Sequence, residues 1–223
     1  MYLSNVLSNV RKGSIRDKSI LETIEICGVM DTDQLTELFF KFPTGKRKCQ
    51  ARMKSLYDRK LVKKTRLSLD SSTVYYQGKF PGQIEHSLAV SWVYVWLMRK
   101  QGETILTWET EELKEFGLRV DALCSTRIPM TGEIRWYCIE LDRGAVSRHK
   151  FLKVNYYDDL YLKEGFTGSK LMKRLDNPLR FPKVIIVTDS VKHGQKIRSL
   201  VAESKTKVKY EVYLLSAIKE GLE

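Results

Sequence analysis

The stretch from Thr44 to Tyr76 constrains the fold of this chain more than any other. It predicts a basic helix, a short basic strand, a polar turn and a second strand, in that order. Cys49, Met53 and Leu56 recur at helical spacing, so one stripe of the helix can be buried. The opposite side of the helix carries polar and basic residues, namely Arg47, Gln50, Ala51 and Lys54, with Lys48 at its margin.

Two shorter helices are expected before this stretch. The first covers residues 16–27 and stops at Gly28. Thr32 is expected to cap the second, which covers residues 33–40, and the sequence around Pro43 breaks the chain before the basic helix. Three helices followed by two short strands predict a winged helix-turn-helix domain over residues 16–78, after an N-terminal arm of residues 1–15. Residues 78–82 (GKFPG) are the candidate linker.

The net charge of +12 is concentrated in the same part of the chain. Residues 1–82 hold 16 Lys and Arg against 8 Asp and Glu, a net charge of +8, and the remainder carries +4. Basic side chains release condensed counterions when they lie on phosphates. The sequence therefore predicts double-stranded DNA as the partner, with no cofactor required for binding.

The expected contacts divide into two groups. Arg47, Gln50 and Lys54 would lie nearest the base edges in the major groove, where Arg suits guanine and Gln suits adenine. The residues expected on phosphates come from the start of the helix and from the first strand of the wing: Thr44, Lys46, Lys48, Lys63, Lys64 and Arg66.

Residues 83–223 have a different pattern. A mostly apolar helix is expected from Ile84 to Lys100, followed by three strands at residues 105–109, 117–124 and 134–141. A helix over residues 146–162 and a buried strand at residues 184–187 come next. A further helix and a last strand complete the order. Alternation of this kind predicts a mixed sheet packed with helices, so the fold class expected for the chain is mixed α/β and α+β.

Three carboxylates are expected near the ends of two neighbouring strands in this second domain. Asp121 is expected near the end of one strand, and Glu140 and Asp142 at the end of the next. Carboxylate oxygens are the ligands that Mg²⁺ and Mn²⁺ prefer, and a bound metal can activate water for attack on a phosphodiester. Lys153, on the following helix, could stabilise the charge that develops on the phosphate.

This order of elements and the D…ExD pattern resemble the PD-(D/E)xK nuclease-like fold. Asp121 matches the Asp of that motif and Glu140 its second acidic residue, which the resemblance makes the catalytic and metal-binding pair. Val120 stands where the motif has Pro, and Asp142 stands where it has Lys. The resemblance implies Lys153 as the substitute lysine, since a lysine from the next helix is a known variation of this fold.

The two halves together resemble the replication-relaxation family of plasmids, phages and conjugative elements. The resemblance covers residues 16–190 and rests on short motifs: HSLAV (86–90), RVDA (119–122), IELDRG (139–144) and KVNYYDDLY (153–161). It implies a DNA-binding protein of a mobile element with a nuclease-like second domain, acting with replication or transfer proteins. A palindromic DNA site would require a homodimer.

The sequence is compatible with three functions and with two roles for the carboxylates. The leading hypothesis is a sequence-specific DNA-binding regulator whose nuclease-like domain dimerises, the second a Mg²⁺-dependent endonuclease or nickase, and the third a protein-interaction adaptor. The three carboxylates could instead be ion-paired with neighbours such as Arg119, Arg143 and Arg148. His193 is expected to face solvent and Tyr157 to lie in the core or an interface.

The remaining composition indicates a cytoplasmic protein. The four cysteines show no zinc-ligand spacing, which favours buried thiols in a reducing compartment. The longest apolar run, residues 88–98, is too short to span a bilayer, so no membrane association is expected.

Overall fold

The computed structural model of the chain describes residues 2–100, 104–110, 112–143 and 153–221, with side chains from residue 13 onward. Contacts divide the chain into two compact units, Met1–Ser91 and Trp92–Glu223. Their residues form a mixed α/β structure with one small antiparallel sheet and one five-stranded mixed sheet.

The first unit combines three helices with a three-stranded antiparallel sheet. Its elements are α1 (Tyr2–Cys27), β1 (Val29–Asp31), α2 (Thr32–Phe39), α3 (Gly45–Asp58), β2 (Lys63–Thr65) and β3 (Val74–Tyr76). The strand order in the sheet is β1-β3-β2. The three helices, the basic strand and the returning strand follow the order expected from the sequence.

Two details of this unit differ from expectation. Residues 2–15 continue α1 and do not form a separate arm. The strand β1 was not expected, because its three residues are too few to show a period of their own. It is specified by pairing with β3, 45 residues away at Met30 and Tyr75.

The start of α2 is capped by Asp31 and not by Thr32. The Asp31 side chain accepts a hydrogen bond from Gln34 N, and the Gln34 side chain accepts one from Asp31 N, each at 2.8 Å. This reciprocal capping box satisfies two backbone donors at once. Thr32 is buried and bonds to Thr73 O through its backbone N–H, so it fastens α2 to the strand beside it.

The connection between α2 and α3 depends on a glycine. A Cβ built on Gly45 would lie 1.7 Å from the carbonyl oxygen of Phe40, a backbone atom that cannot swing away. The expected stripe of α3 is confirmed, because Cys49, Met53 and Leu56 are all fully buried. Gly45 and this stripe together fix the approach of α3 to the rest of the unit.

The second unit is built on a five-stranded mixed sheet. The remaining elements in the described residues are α4 (Ile84–Arg99), β4 (Thr104–Thr110), a 3₁₀ turn (Lys114–Phe116), β5 (Ala122–Arg127), β6 (Ile134–Leu141), α5 (Lys153–Glu164), α6 (Lys170–Arg174), β7 (Lys183–Thr188), α7 (Val191–Ala202), β8 (Tyr210–Leu214) and α8 (Leu215–Glu220). The strand order in the sheet is β4-β5-β6-β7-β8. The pairs β4/β5 and β5/β6 are antiparallel, whereas β6/β7 and β7/β8 are parallel.

The division between the units falls within α4, beyond the linker expected at residues 78–82. The first half of this helix packs with the first unit through two hydrogen bonds of 2.8 Å. Gln34 Nε2 donates to Leu88 O, and Ser91 Oγ donates to Val29 O.

Several strand and helix boundaries were expected correctly, and β6 covers the predicted residues without a shift. The strand β5 begins five residues later than expected, because Gly117 and Leu113 adopt left-handed φ angles around the 3₁₀ turn. The start expected for the helix at Val146 lies outside the described residues. The short helices α6 and α8 were not expected.

The core of the second unit contains large side chains from the meander, from α5 and from the parallel strands. Leu123, Tyr157, Leu171 and Ile186 are each at most 1 % exposed. Within the described residues no helix combines the length and the apolar character that crossing a bilayer would require.

Candidate functional site

The exposed side of α3 carries the basic residues that the sequence singled out. All nine side chains proposed to contact DNA are exposed: Thr44, Lys46, Arg47, Lys48, Gln50, Lys54, Lys63, Lys64 and Arg66. In the described part of the chain, Arg47, Lys48 and Gln50 make no side-chain hydrogen bond or ion pair. These three side chains are therefore available to a ligand without breaking an internal contact.

Two lysines of α3 are partly neutralised by acidic neighbours. Lys54 Nζ lies 2.8 Å from Asp58 Oδ2, one helical turn further on, and Lys46 Nζ lies 2.6 Å from Asp33 Oδ1 on α2. Asp33 also accepts a hydrogen bond from Ser72 Oγ in the loop between β2 and β3. This carboxylate therefore links α2, the start of α3 and the loop of the hairpin.

Three separate contacts hold the cations of β2 and Arg66, which directly follows the strand. Lys63 Nζ donates to Gly78 O at 2.6 Å, Lys64 Nζ lies 4.2 Å from the centre of the Tyr57 ring, and Arg66 Nε donates to Thr73 Oγ1 at 3.1 Å. These contacts orient the cations while leaving the side chains exposed, so a polyanion could still reach them.

Arg52 on α3 has a structural contact that the sequence did not reveal. Its guanidinium binds both carboxylate oxygens of Asp17 on α1 and also donates to Gly13 O. The Asp17 side chain is only 11 % exposed, so this bidentate pair fastens α3 to α1. A charged pair at positions 17 and 52 is separated by too much sequence for spacing alone to indicate it.

The carboxylates of the second unit lie at the same end of the sheet, as expected, but Asp121 reaches it from the start of a strand and not from its end. Asp121 precedes β5 and does not end it, because β5 begins at Ala122. Since β5 runs antiparallel to β6 and Ala122 pairs with Ile139, the start of β5 lies beside the end of β6. Asp121 Oδ2 accepts a hydrogen bond of 2.7 Å from Leu141 N, so it also fixes the end of β6.

Glu140 is the buried centre of this group, at 1 % exposure. Its Oε2 contacts the ammonium of Lys153, and its Oε1 accepts a hydrogen bond of 2.7 Å from the Tyr157 hydroxyl. Lys153 Nζ also donates to Arg119 O at 2.9 Å. The structure therefore brings Lys153, which was predicted as the lysine of the site, into contact with Glu140 and adds Tyr157 as a second partner.

Burial controls the ionisation of this group. It raises the pKa of Glu140 to about 7, while the Lys153 ammonium opposes the shift and the Asp121 carboxylate adds to it. Burial, and then the neighbouring Glu140 carboxylate, also raise the pKa of Tyr157 well above its usual value, so Tyr157 stays a hydrogen-bond donor.

Asp142 lies beyond the end of β6 and binds a residue of α7. Its Oδ2 is 2.9 Å from His193 Nε2, and both side chains are less than one-fifth exposed. The expectation that His193 faces solvent is therefore wrong. Ser190 caps α7 by accepting a hydrogen bond from His193 N, and this brings the imidazole to the edge of the sheet.

Both oxygens that Glu140 could offer to a metal ion already have a partner in this structure. One contacts the Lys153 ammonium and the other accepts a hydrogen bond from the Tyr157 hydroxyl, so a divalent ion would share this carboxyl group with them. Among the residues that the structure describes, no three His, Cys, Asp or Glu side chains are grouped so as to hold a metal.

One part of this cluster had a signal in the sequence. Lys153 and Tyr157 are four residues apart on α5, so a helix places them on the same face. Their common partner Glu140 lies on a strand and could not be matched to them by periodicity. Comparison of the chain with known protein families, with characterised proteins and with solved structures gave no match.

Proposed function

We propose that this protein binds double-stranded DNA in a sequence-specific manner through a winged helix-turn-helix formed by the first unit. The observation that carries the proposal is the division of α3 into two sides. Its apolar stripe is fully buried, while every basic or polar side chain proposed for DNA contact is exposed. The net charge of +8 on residues 1–82 favours a polyanion as the ligand.

In this proposal α3 enters the major groove and the β2–β3 hairpin is the wing. Arg47 and Gln50, whose side chains make no hydrogen bond or ion pair in the described part of the chain, read base edges together with Lys54. Thr44, Lys46 and Lys48 contact phosphates at the start of α3, and the three cations of the hairpin hold the backbone beside the groove. No cofactor takes part in these contacts.

In this proposal the second unit does not cut DNA and has a different role in the regulator. Its element order, with a helix, a three-stranded meander, a helix and a strand, agrees with the nuclease-like fold inferred from the sequence. Asp142, however, stands at the position of the motif's lysine and binds His193. We propose that this unit dimerises the protein on a palindromic site of a mobile element in the cytoplasm, where it controls replication, transfer or transcription.

The experiment that tests DNA binding starts by selecting a duplex from a random library with the purified full chain. Binding of the selected duplex is then measured by fluorescence anisotropy for the wild type and for Arg47→Ala combined with Lys54→Ala. Loss of specific binding with unchanged circular dichroism is the expected result. The matched control removes two exposed lysines of the second unit, Lys163→Ala with Lys173→Ala, and should bind as the wild type does. Equal binding by all three proteins would overturn the proposal.

A metal-dependent endonuclease is the second candidate, favoured by the contact between Lys153 and Glu140. Incubation of supercoiled plasmid with the protein and Mn²⁺ separates the two functions. Nicking that is lost in Glu140→Ala would favour the enzyme, whereas an unchanged plasmid favours the regulator.

A further inference from the structure

A cavity of about 490 Å³ opens at the end of the large sheet where β6, β7 and β8 begin. Trp136 is the third residue of β6, Lys183 is the first of β7, and Lys209 directly precedes β8; all three line the cavity. Glu140 lies four residues further along β6, about 13 Å from Trp136 at the usual rise of a strand. The cavity is therefore separate from the carboxylate cluster.

The lining of the cavity is strongly basic. Five cations line it against one carboxylate, Glu133, a net charge of +4: Arg135, Arg180, Lys183, Lys207 and Lys209. A concave surface with one sign of charge concentrates the field inside it and attracts anions.

Two of these cations already have acidic partners, and three make no ion pair within the described residues. Arg135 Nη2 lies 3.2 Å from Glu133 Oε2, and Lys183 Nζ lies 2.8 Å from Glu211 Oε1. The other three, Arg180, Lys207 and Lys209, are exposed. These three side chains can bind an anion without giving up an internal ion pair.

Aromatic side chains form another part of the lining. Trp136, Tyr161 and Phe181 are half-buried, with the Tyr161 and Phe181 rings packed edge to face at 5.3 Å. Half-buried aromatic rings beside cations are the combination on which nucleic-acid bases stack while their phosphates are neutralised. A simple inorganic anion would use the cations and leave the rings without a role.

We propose that this cavity binds a nucleoside phosphate, with its base against the aromatic side and its phosphate on Arg180, Lys207 and Lys209. The volume falls within the range of about 300–1,000 Å³ that small-molecule sites occupy. Arg180 offers a planar guanidinium, which can bind two phosphate oxygens at once. This nucleoside phosphate can be a free mononucleotide or the phosphorylated end of an unpaired strand.

Isothermal titration calorimetry of the full chain tests this site with five small probes: AMP, GMP, CMP, UMP and inorganic phosphate. At least one mononucleotide should bind about tenfold more tightly than phosphate, because stacking adds to the charge-assisted hydrogen bonds. Lys207→Gln combined with Lys209→Gln should weaken that binding by about tenfold. Lys163→Gln with Lys173→Gln removes the same charge outside the cavity and should leave the affinity unchanged.

A five-nucleotide single strand with a 5′-phosphate distinguishes the two sources. If it binds at least about tenfold more tightly than the mononucleotide, and loses this affinity in the Lys207 and Lys209 variant, the ligand is a strand end. Otherwise the ligand is the free nucleotide. Equal affinity for phosphate and for every mononucleotide, or equal nucleotide affinity in the cavity and control variants, would overturn the proposal.

Discussion

The Tyr157 hydroxyl donates a hydrogen bond of 2.7 Å to Glu140 Oε1 in the interior of the second unit. Lys153, one turn earlier on the same helix, contacts the other oxygen of that carboxyl group. Both the phenol and the ammonium are hydrogen-bond donors and favour the ionised carboxylate, whereas burial favours the neutral acid. Burial then decides which state dominates near neutral pH.

Glu140 should make the stability of the second unit fall as the pH rises. An unfolded Glu ionises near pH 4.5, whereas the pKa of Glu140 is raised to about 7, so the folded protein holds an extra proton between these values. The free energy of unfolding therefore decreases by about 3 kcal/mol as the pH rises across that window. Above about pH 7 the contribution of Glu140 no longer changes with pH. Glu140→Gln should remove this part of the pH dependence.

Urea unfolding followed by tryptophan fluorescence measures this effect selectively. All four tryptophans, Trp92, Trp96, Trp108 and Trp136, belong to the second unit. The exposed Glu203→Gln is the control and should keep the pH slope of the wild type. The same slope in Glu140→Gln and in the wild type would contradict the prediction.

Gly45→Ala should destabilise the first unit by at least about 2 kcal/mol, because the added methyl group would lie 1.7 Å from Phe40 O and the backbone would have to move. Hydrogen–deuterium exchange of peptides from α2 and α3 should show faster opening. Gly82→Ala is the matched control, since a Cβ at that position has no atom within 4 Å. Equal protection of α3 in the two variants would show that the turn tolerates a side chain.

Arg52→Ala should destabilise the first unit by roughly 2 kcal/mol, because it leaves the nearly buried Asp17 carboxylate without its bidentate partner. Among the residues whose side chains the structure describes, Asp17 would then retain Arg59, whose Nη1 is 3.6 Å away. The loss should appear as faster hydrogen–deuterium exchange in α1. Lys54→Ala, which removes a cation from the exposed side of the same helix, should leave exchange in α1 unchanged, and similar exchange in both variants would refute the prediction.

Lys63→Gln combined with Lys64→Gln should weaken DNA binding without changing the preferred sequence. If each lysine neutralises one phosphate, the slope of log K against log salt should become shallower by about 2. Anisotropy titrations at several salt concentrations measure this slope on the selected duplex and on a scrambled one. Gln50→Ala provides the contrast. It should reduce the difference in affinity between the selected and the scrambled duplex and leave the salt slope unchanged. An unaltered slope in the lysine variant would remove the wing from the proposed interface.

The sequence determined the features that repeat over short distances. The buried stripe of Cys49, Met53 and Leu56 follows from the helical period, and the exposed basic side of α3 follows from the same period. The continuous apolar run of β7 and the limits of β6 were also readable from local composition. Each of these depends on residues that are close neighbours along the chain.

Only the tertiary structure decided which distant residues meet. Asp121 lies beside the end of β6 because β5 runs antiparallel to it, and Asp142 reaches His193 because the parallel strand β7 leads into α7 at that edge. The bond between Ser91 and Val29, which assigns the first half of α4 to the first unit, joins residues 62 positions apart. Periodicity fixes the direction of a side chain within its own element, whereas the partner it faces depends on strand pairing and helix packing across the whole fold.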